Sequence, residues 1–230
     1  MVKVAVITPY ANEELTIIKQ CHASVASQNH ECLHVLVGDG NSRAEINNWD
    51  AHHIILPESH NDIGSTPRLI GSYHAIGLGF DTIAYLDADN WYRQDHIKNI
   101  VEVIEREQPG FISTGRMLCR LDGSPMRACP FTKPNSFVDT NCMVFTRTAF
   151  HLLHHWALMP DYGHLIGDRI MLHHIKRSHV TRSHIPLPTV NYRCKRDGIY
   201  QRLGEPVPPG VTPAPNYKIA SLKWIEDGRP

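Results

Sequence analysis

The chain has 230 residues, and its 42% hydrophobic and 20% charged residues allow a packed core and exclude wholesale disorder. Lys and Arg number 23, as do Asp and Glu, so the net charge is zero, nothing suggests a surface built for a polyanion, and no nucleic-acid partner is expected. Any recognition of phosphate has to be local.

Val2 to Thr8 is a β-branched apolar run stopped by Pro9, which predicts a buried parallel strand. Glu13 to Ser27 carries Leu15, Ile18, Cys21 or His22, and Val25 at helical spacing. Cys32 to Val37 is a second strand ending at the turn-rich Gly38-Asp39-Gly40-Asn41-Ser42, and His53 to Leu56 a weaker third. Thr66 to Gly77 reads as a helix with Leu69, Ile70, Tyr73 and Ile76 inward. Thr82 to Leu86 is a fourth strand that runs into Asp87-Ala88-Asp89-Asn90, and Asp95 to Glu107 an amphipathic helix stopped by Pro109-Gly110.

Beyond that point the pattern predicts strands at Phe111–Thr114 and Met117–Leu121 around a turn at Asp122–Pro125. It continues with a strand at Cys142–Thr146, a helix over Arg147–Trp156, a last helix over Gly167–Lys176 and a strand at Thr189–Arg193. The alternation over residues 2–108 predicts βαβ units on a parallel sheet. Ligands of such sheets sit beyond the carboxyl ends of the strands, so the loops at Pro9-Tyr10, Asp39-Gly40 and Asp87–Asp89 should converge on one crevice. Gly204 to Asn216 is Pro-rich and excludes regular structure, which reads as a packed or flexible surface arm in preference to a flap over the acceptor side.

Six dispersed cysteines in a chain this long read as reduced thiols rather than a disulfide scaffold. Sixteen histidines invite a zinc reading, but no HExxH and no paired CxxC occurs, so scattered surface and half-buried histidines are expected. The N-terminus enters a strand at once, without a leader pattern, and no apolar run approaches the ~20 residues that span a bilayer. A cytoplasmic location, at most peripheral to a membrane, is the expectation.

Asp87 and Asp89 leave an apolar strand together, where unpaired charges are costly. A hard divalent cation, Mn2+ or Mg2+, resolves that cost by taking carboxylate and phosphate oxygens. Helix capping by Asp89 or Asn90 is the competing reading.

Residues Val4–Glu14, Ser24-Val-Ala-Ser-Gln28, Val35–Ser42, Asn61–Arg68 and Tyr85-Leu-Asp-Ala-Asp-Asn90 together resemble the opening of family 2 glycosyltransferases of the GT-A fold. One departure is visible: Ala11 separates Tyr10 from Asn12, where the family places its aromatic directly before Asn. The resemblance implies a single GT-A, Rossmann-like α/β domain over 1–230, with a mostly parallel mixed sheet and helices on both faces. Residues 2–108 would bind the nucleotide and 110–200 the acceptor. It implies transfer of a sugar from a nucleoside-diphosphate sugar, UDP favoured, to a saccharide or other hydroxyl acceptor with inversion. Pro9, Tyr10 and Glu13 would line the base and ribose, Asp39 would accept from the base ring N–H, and Arg68 would meet the diphosphate. Asp87 and Asp89 would hold ribose, metal and phosphate, with His184 a further metal ligand.

Asp168, opening a late helix, matches the family's general base, with Asp161 the second choice and Asp139 a donor-sugar contact. Its place at a helix N-terminus is expected to keep Asp168 ionised by lowering its pKa. Arg193, Lys195, Arg196 and Arg202 form a basic cluster, of which one or two members are expected at the diphosphate. Each residue also has an ordinary reading: a turn for Asp39, a helix-face ion pair for Arg68, an N-cap for Asp168 and a solvated loop for His184. The alternative for the whole chain is a non-catalytic nucleotide-sugar-binding or interaction domain of the same fold.

A haloacid-dehalogenase-type phosphohydrolase is rejected because Trp91 stands where that class needs Thr or Val, and a nucleotidyltransferase because the first loop is acidic and lacks glycine. A processive synthase would need membrane helices.

Overall fold

The computed structural model describes residues 2–229. Strand β1 (Val4–Tyr10) is buried along its whole length, followed by α1 (Leu15–Ala26), β2 (Cys32–Asp39), β3 (His52–Leu56), α2 (Ser65–Gly77) and β4 (Thr82–Tyr85). These four strands lie parallel in the order β3-β2-β1-β4. Both faces of β1 and β2 are covered, which is why they read as continuous apolar runs. On one face Ile7, Val35 and Val37 meet α2, and on the other Cys21 of α1 approaches Thr8 (3.8 Å). The close approach of α2 rests on Gly71, where an added Cβ would lie 2.6 Å from Ile7 Cγ2. Helix α2 therefore buries small residues, Gly71, Ser72 and Ala75, while Tyr73, expected inward, is 48% exposed.

Next come β5 (Trp91–Tyr92), α3 (His96–Glu107), β6 (Phe111–Cys119), β7 (Pro125–Ala128) and β8 (Met143–Thr146). Then α4 (His155–Leu158), α5 (Gly167–Arg177), β9 (Arg182–Arg193), α6 (Asp197–Leu203) and α7 (Tyr217–Glu226) complete the described chain. The sheet continues β4-β8-β6-β9-β5, with β7 paired to β6, so one mixed sheet carries the α/β domain.

Several expectations in this half are corrected. Phe111 to Cys119 is one strand rather than two, because Gly115 absorbs a register shift where the backbone of β9 approaches: an added Cβ would lie 2.6 Å from the Pro186 carbonyl oxygen. Strand β9 begins at Arg182, well before the expected Thr189, since Pro186 and Pro188 fall at that irregularity. The expected helix over Arg147–Trp156 is a 3-10 segment, Arg147–Leu152, followed by the short α4. Two helices follow the one expected to be last. The Pro-rich arm holds no helix and no strand longer than an isolated bridge, and it is tied down: Thr212 N–H donates to the Lys195 carbonyl (3.0 Å) and Ala214 N–H to Asp197 (2.8 Å).

All six cysteines are free. Among the histidines, His22 bonds to His34 (3.0 Å) and His52 to His74 (3.0 Å), while His53, His60, His96, His164 and His184 bond to other side chains. Buried His34 donates to or accepts from Thr8 (2.8 Å), and burial drops its pKa to about 3, so it is neutral. Among the described residues no group of three or more His, Cys, Asp or Glu side chains is placed to hold a metal ion, and no helix is long and apolar enough to cross a membrane.

Candidate active site

The parallel register brings the carboxyl ends of β1, β2 and β4 level, and a cavity of about 240 Å³ opens beyond them. Pro9, Tyr10, Glu13, Asp39, Arg68, Asp87 and Asp89, each singled out in the sequence, all line it. Ala11, Ile63, Gly64, Ala88 and Lys195 complete the wall. Asp168 and His184 are not part of it.

Asp87 is held on both oxygens. Arg68 Nη2 donates to Oδ1 (2.5 Å) and Asn141 Nδ2 to Oδ2 (2.8 Å), while Asp87 N–H donates to Asn141 Oδ1 (2.6 Å). Arg68 is 6% exposed, lies over the Trp156 ring (5.3 Å) and donates from Nη1 to the Ile63 carbonyl (2.9 Å). Ile63 has φ +56°, a left-handed conformation that costs a β-branched residue about 1–3 kcal/mol. Its side chain is nevertheless 58% exposed at the cavity. Arg68 thus fixes the carboxylate and the strained loop together.

Asp89 is paired with Lys195, whose ammonium contacts Oδ2. Burial pushes the Asp89 carboxyl above its ordinary range, and the charges of Asp87 and Glu13 add to this against the pull of Lys195. Burial works to lower the Lys195 pKa, but the Asp89 charge and hydrogen bond outweigh it and leave it raised. Of the basic cluster only Lys195 reaches the cavity. Arg193 is consumed in framing the loop, donating from Nε to the Asp89 carbonyl (3.1 Å) and from Nη2 to Gln20 (2.5 Å) over the Trp91 ring (5.0 Å). Arg196 binds Thr212 (2.7 Å), and Arg202 lies over Phe131 (3.7 Å).

At the other end, Asp39 is 6% exposed and accepts from His60, through the ring Nδ1 (2.7 Å) and the backbone N–H (3.1 Å). The Tyr10 hydroxyl meets His53 Nε2 (2.7 Å) and the Arg43 N–H (3.1 Å), so the ring is part of the wall, packed with Ile18, Leu36 and Ile46. Glu13 accepts from Ala11 N–H (2.8 Å) and closes the loop after β1.

Asp168 opens α5 and accepts its neighbour's backbone N–H (Arg169, 2.7 Å). The expectation of a lowered pKa is overturned. Burial, then the charge of Asp139, push it up to about 7, against the weaker pull of Arg169. Asp139 pairs with buried Arg116 and accepts from Asn141 Nδ2 (2.8 Å), so Asn141 bridges Asp139 and Asp87. Asn141, uncharged and 54 residues from Asp87, carries no local signal and was not anticipated. Asp161 lies exposed in a 3-10 turn.

His184 does not join the Asp87–Asp89 carboxylates. It sits near the start of β9, half-buried and bonded to Ser113 Oγ (2.9 Å). In the pairing with β6, His184 lies opposite Ser113 and Arg193 opposite Cys119, so His184 is six strand steps, about 20 Å at ~3.3 Å per residue, from the Arg193 end of β9 next to Lys195.

The profile of glycosyl transferase family 2 matches residues 5–173, most of the chain. The chain belongs to glycosyl transferase family 2. Its fold is similar to that of TarS from S. aureus. TarS 1–349 in complex with UDP aligns with a TM-score of 0.65 at 14% identity, over 84% of this chain and 60% of that one. The same fragment in complex with UDP-GlcNAc aligns with a TM-score of 0.59 at 13% identity, over 84% and 58%. The chain therefore spans about three fifths of those fragments, and at such identities the likeness establishes the GT-A fold alone. No curated protein sequence matches the chain.

Proposed function

We propose that this chain moves a sugar from a nucleoside-diphosphate sugar, UDP favoured, to an acceptor hydroxyl, with inversion at the anomeric carbon. The observation that carries this reading is the composition of the cavity: Glu13, Asp39, Asp87 and Asp89 face only Arg68 and Lys195. A wall with that excess of carboxylates repels a diphosphate unless a cation enters with it. Asp87 and Asp89 fit Mn2+ or Mg2+ as a two-carboxylate site whose other ligands come from phosphate and water. When bound, such an ion neutralises the departing diphosphate. Membership of family 2, and a fold shared with a protein crystallised with UDP and UDP-GlcNAc, support the same donor class.

In this reading residues 2–108 are the nucleotide half and 110–200 the acceptor half of a single catalytic domain. Asp39 accepts from the base ring N–H once His60 yields, and Pro9, Tyr10 and Glu13 wall the base and ribose. Arg68 holds Asp87 in place and adds its positive charge to the wall that meets the diphosphate. Asp168 takes the acceptor proton, for which a pKa of about 7 matches a general base working near neutrality. The six free thiols support a reducing, cytoplasmic setting.

The test is release of UDP from a panel of UDP-sugars with Mn2+ or with EDTA, for wild type and Asp168→Asn. Metal-dependent release that the substitution removes supports the reading. No release from any nucleotide sugar, UDP, GDP or dTDP, refutes it.

A further inference from the structure

Lys195 pairs with Asp89, one of the two carboxylates of the proposed cation site. Its ammonium contacts Asp89 Oδ2, and Asp87 and Glu13 line the same cavity, so it sits within the field of all three carboxylates. Two features separate it from the other cation of the cavity. Arg68 is 6% exposed and tethered at both amino groups, whereas the Lys195 side chain is 48% exposed and, among the described residues, has Asp89 as its ion-pair partner. Its backbone, by contrast, is anchored: Lys195 N–H donates to the Arg193 carbonyl (3.0 Å), and the Lys195 carbonyl accepts from Thr212 N–H (3.0 Å) and Oγ1 (3.2 Å). The result is a fixed root with a long side chain that can swing on four rotatable bonds.

We infer that Lys195 is an exchangeable counter-ion that couples the two ligands of the site, holding Asp89 closed to a free divalent cation and releasing it when a nucleoside diphosphate gives the ammonium a new partner. This deepens the proposed function and rests on it. A divalent ion arriving alone has to displace the ammonium from Asp89 and leave that charge without a partner. With a diphosphate in the cavity the ammonium moves to phosphate oxygen, and Asp89 is free for the ion. Each ligand thereby prepares the site for the other, and the coupling is reciprocal. The Pro-rich arm serves this device by pinning the residue's backbone through Thr212.

The test uses the whole chain, wild type and Lys195→Met, which keeps the stem and removes the charge. Affinity for Mn2+ alone is read from the paramagnetic resonance of the free ion, and affinity for UDP, with and without Mn2+, by calorimetry. Lys195→Met is expected to bind Mn2+ alone about tenfold or more tighter than wild type, to bind UDP more weakly, and to show a smaller tightening of Mn2+ by UDP, within the 5–150-fold range typical of coupled sites. Lys195→Arg, which keeps the charge, is expected to restore weak binding of Mn2+ alone. If Lys195→Met lacks the wild-type circular dichroism, Lys195→Gln takes its place. Wild type that binds UDP with Mn2+ while the neutral variants leave the affinity for Mn2+ alone unchanged or weaker overturns this inference alone. Wild type that binds no UDP under any metal condition overturns the proposed function with it.

Discussion

Asp168→Asn is expected to stabilise the protein at alkaline pH while stopping transfer. In the fold the carboxyl is displaced from an ordinary 3.8 to about 7, by burial first and by Asp139 second. Because the folded pKa is raised, the stability this group contributes is complete below pH 4 and is lost as pH rises through about 7. Each pH unit is worth about 1.4 kcal/mol, so forcing the ionised form at pH 8 costs up to about 4 kcal/mol. Partial exposure of the side chain and solvent screening reduce this to about 2–4 kcal/mol. An asparagine has the same shape and keeps an oxygen for the Arg169 N–H, but carries no charge to bury. Urea unfolding at pH 4.5 and pH 8 measures the difference. The variant should unfold at higher urea than wild type at pH 8, by an amount that shrinks toward zero at pH 4.5. Equal stability differences at both pH values would refute the claim that Asp168 titrates in a low-dielectric site. In the active enzyme the same displacement should make kcat fall as pH drops below about 7, since the base is then protonated.

Three further outcomes follow from the same geometry. Arg68→Met removes a charge-assisted bond to Asp87 and the tether on Ile63, so UDP affinity should fall by about 10- to 100-fold, measured by calorimetry. Arg116→Met leaves the Asp139 carboxylate buried without its ion pair and should cost about 3–5 kcal/mol in urea unfolding, part of which Asp139→Asn in the same chain should recover. His184→Ala, far along β9 from the carboxylates, should leave affinity for UDP with Mn2+ within about twofold of wild type, since its removal deletes only a local bond to Ser113.

The first half of the fold was legible because its signals are local. β1 to β4 are apolar runs whose ends fall within two residues of expectation, although β1 continues through Pro9 to Tyr10 instead of stopping there. The second half hides its strands. Pro186 and Pro188 interrupt β9, which continues through them only because Gly115 lets the partner backbone close in, a fact of pairing that no single segment carries. Helix α7 went unseen for a different reason: Ile219, Leu222 and Ile225 face solvent while Ala220 and Trp224 are buried, so its apolar pattern does not mark its inner face. In Arg147–Trp156 the buried positions Ala149, Leu152, Leu153 and Trp156 suit a 3-10 segment as well as an α-helix.

The site divides in the same way. Residues at the ends of parallel strands could be assigned to one crevice from the strand rule, and the fold brings them there. Which cation of the Arg193–Arg202 cluster reaches the cavity depends on where α6 and the Pro-rich arm pack. That choice, Lys195, appears only in three dimensions. The helix-terminus argument for Asp168 failed because burial and Asp139 outweigh a half-charge at a helix end.

The most direct test of the central claim is calorimetric titration of UDP into wild type and Asp89→Asn, each with Mn2+ and with EDTA. Binding that requires Mn2+ and is lost in Asp89→Asn is the predicted result. Failure of UDP, GDP and dTDP to bind wild type under either condition would contradict it.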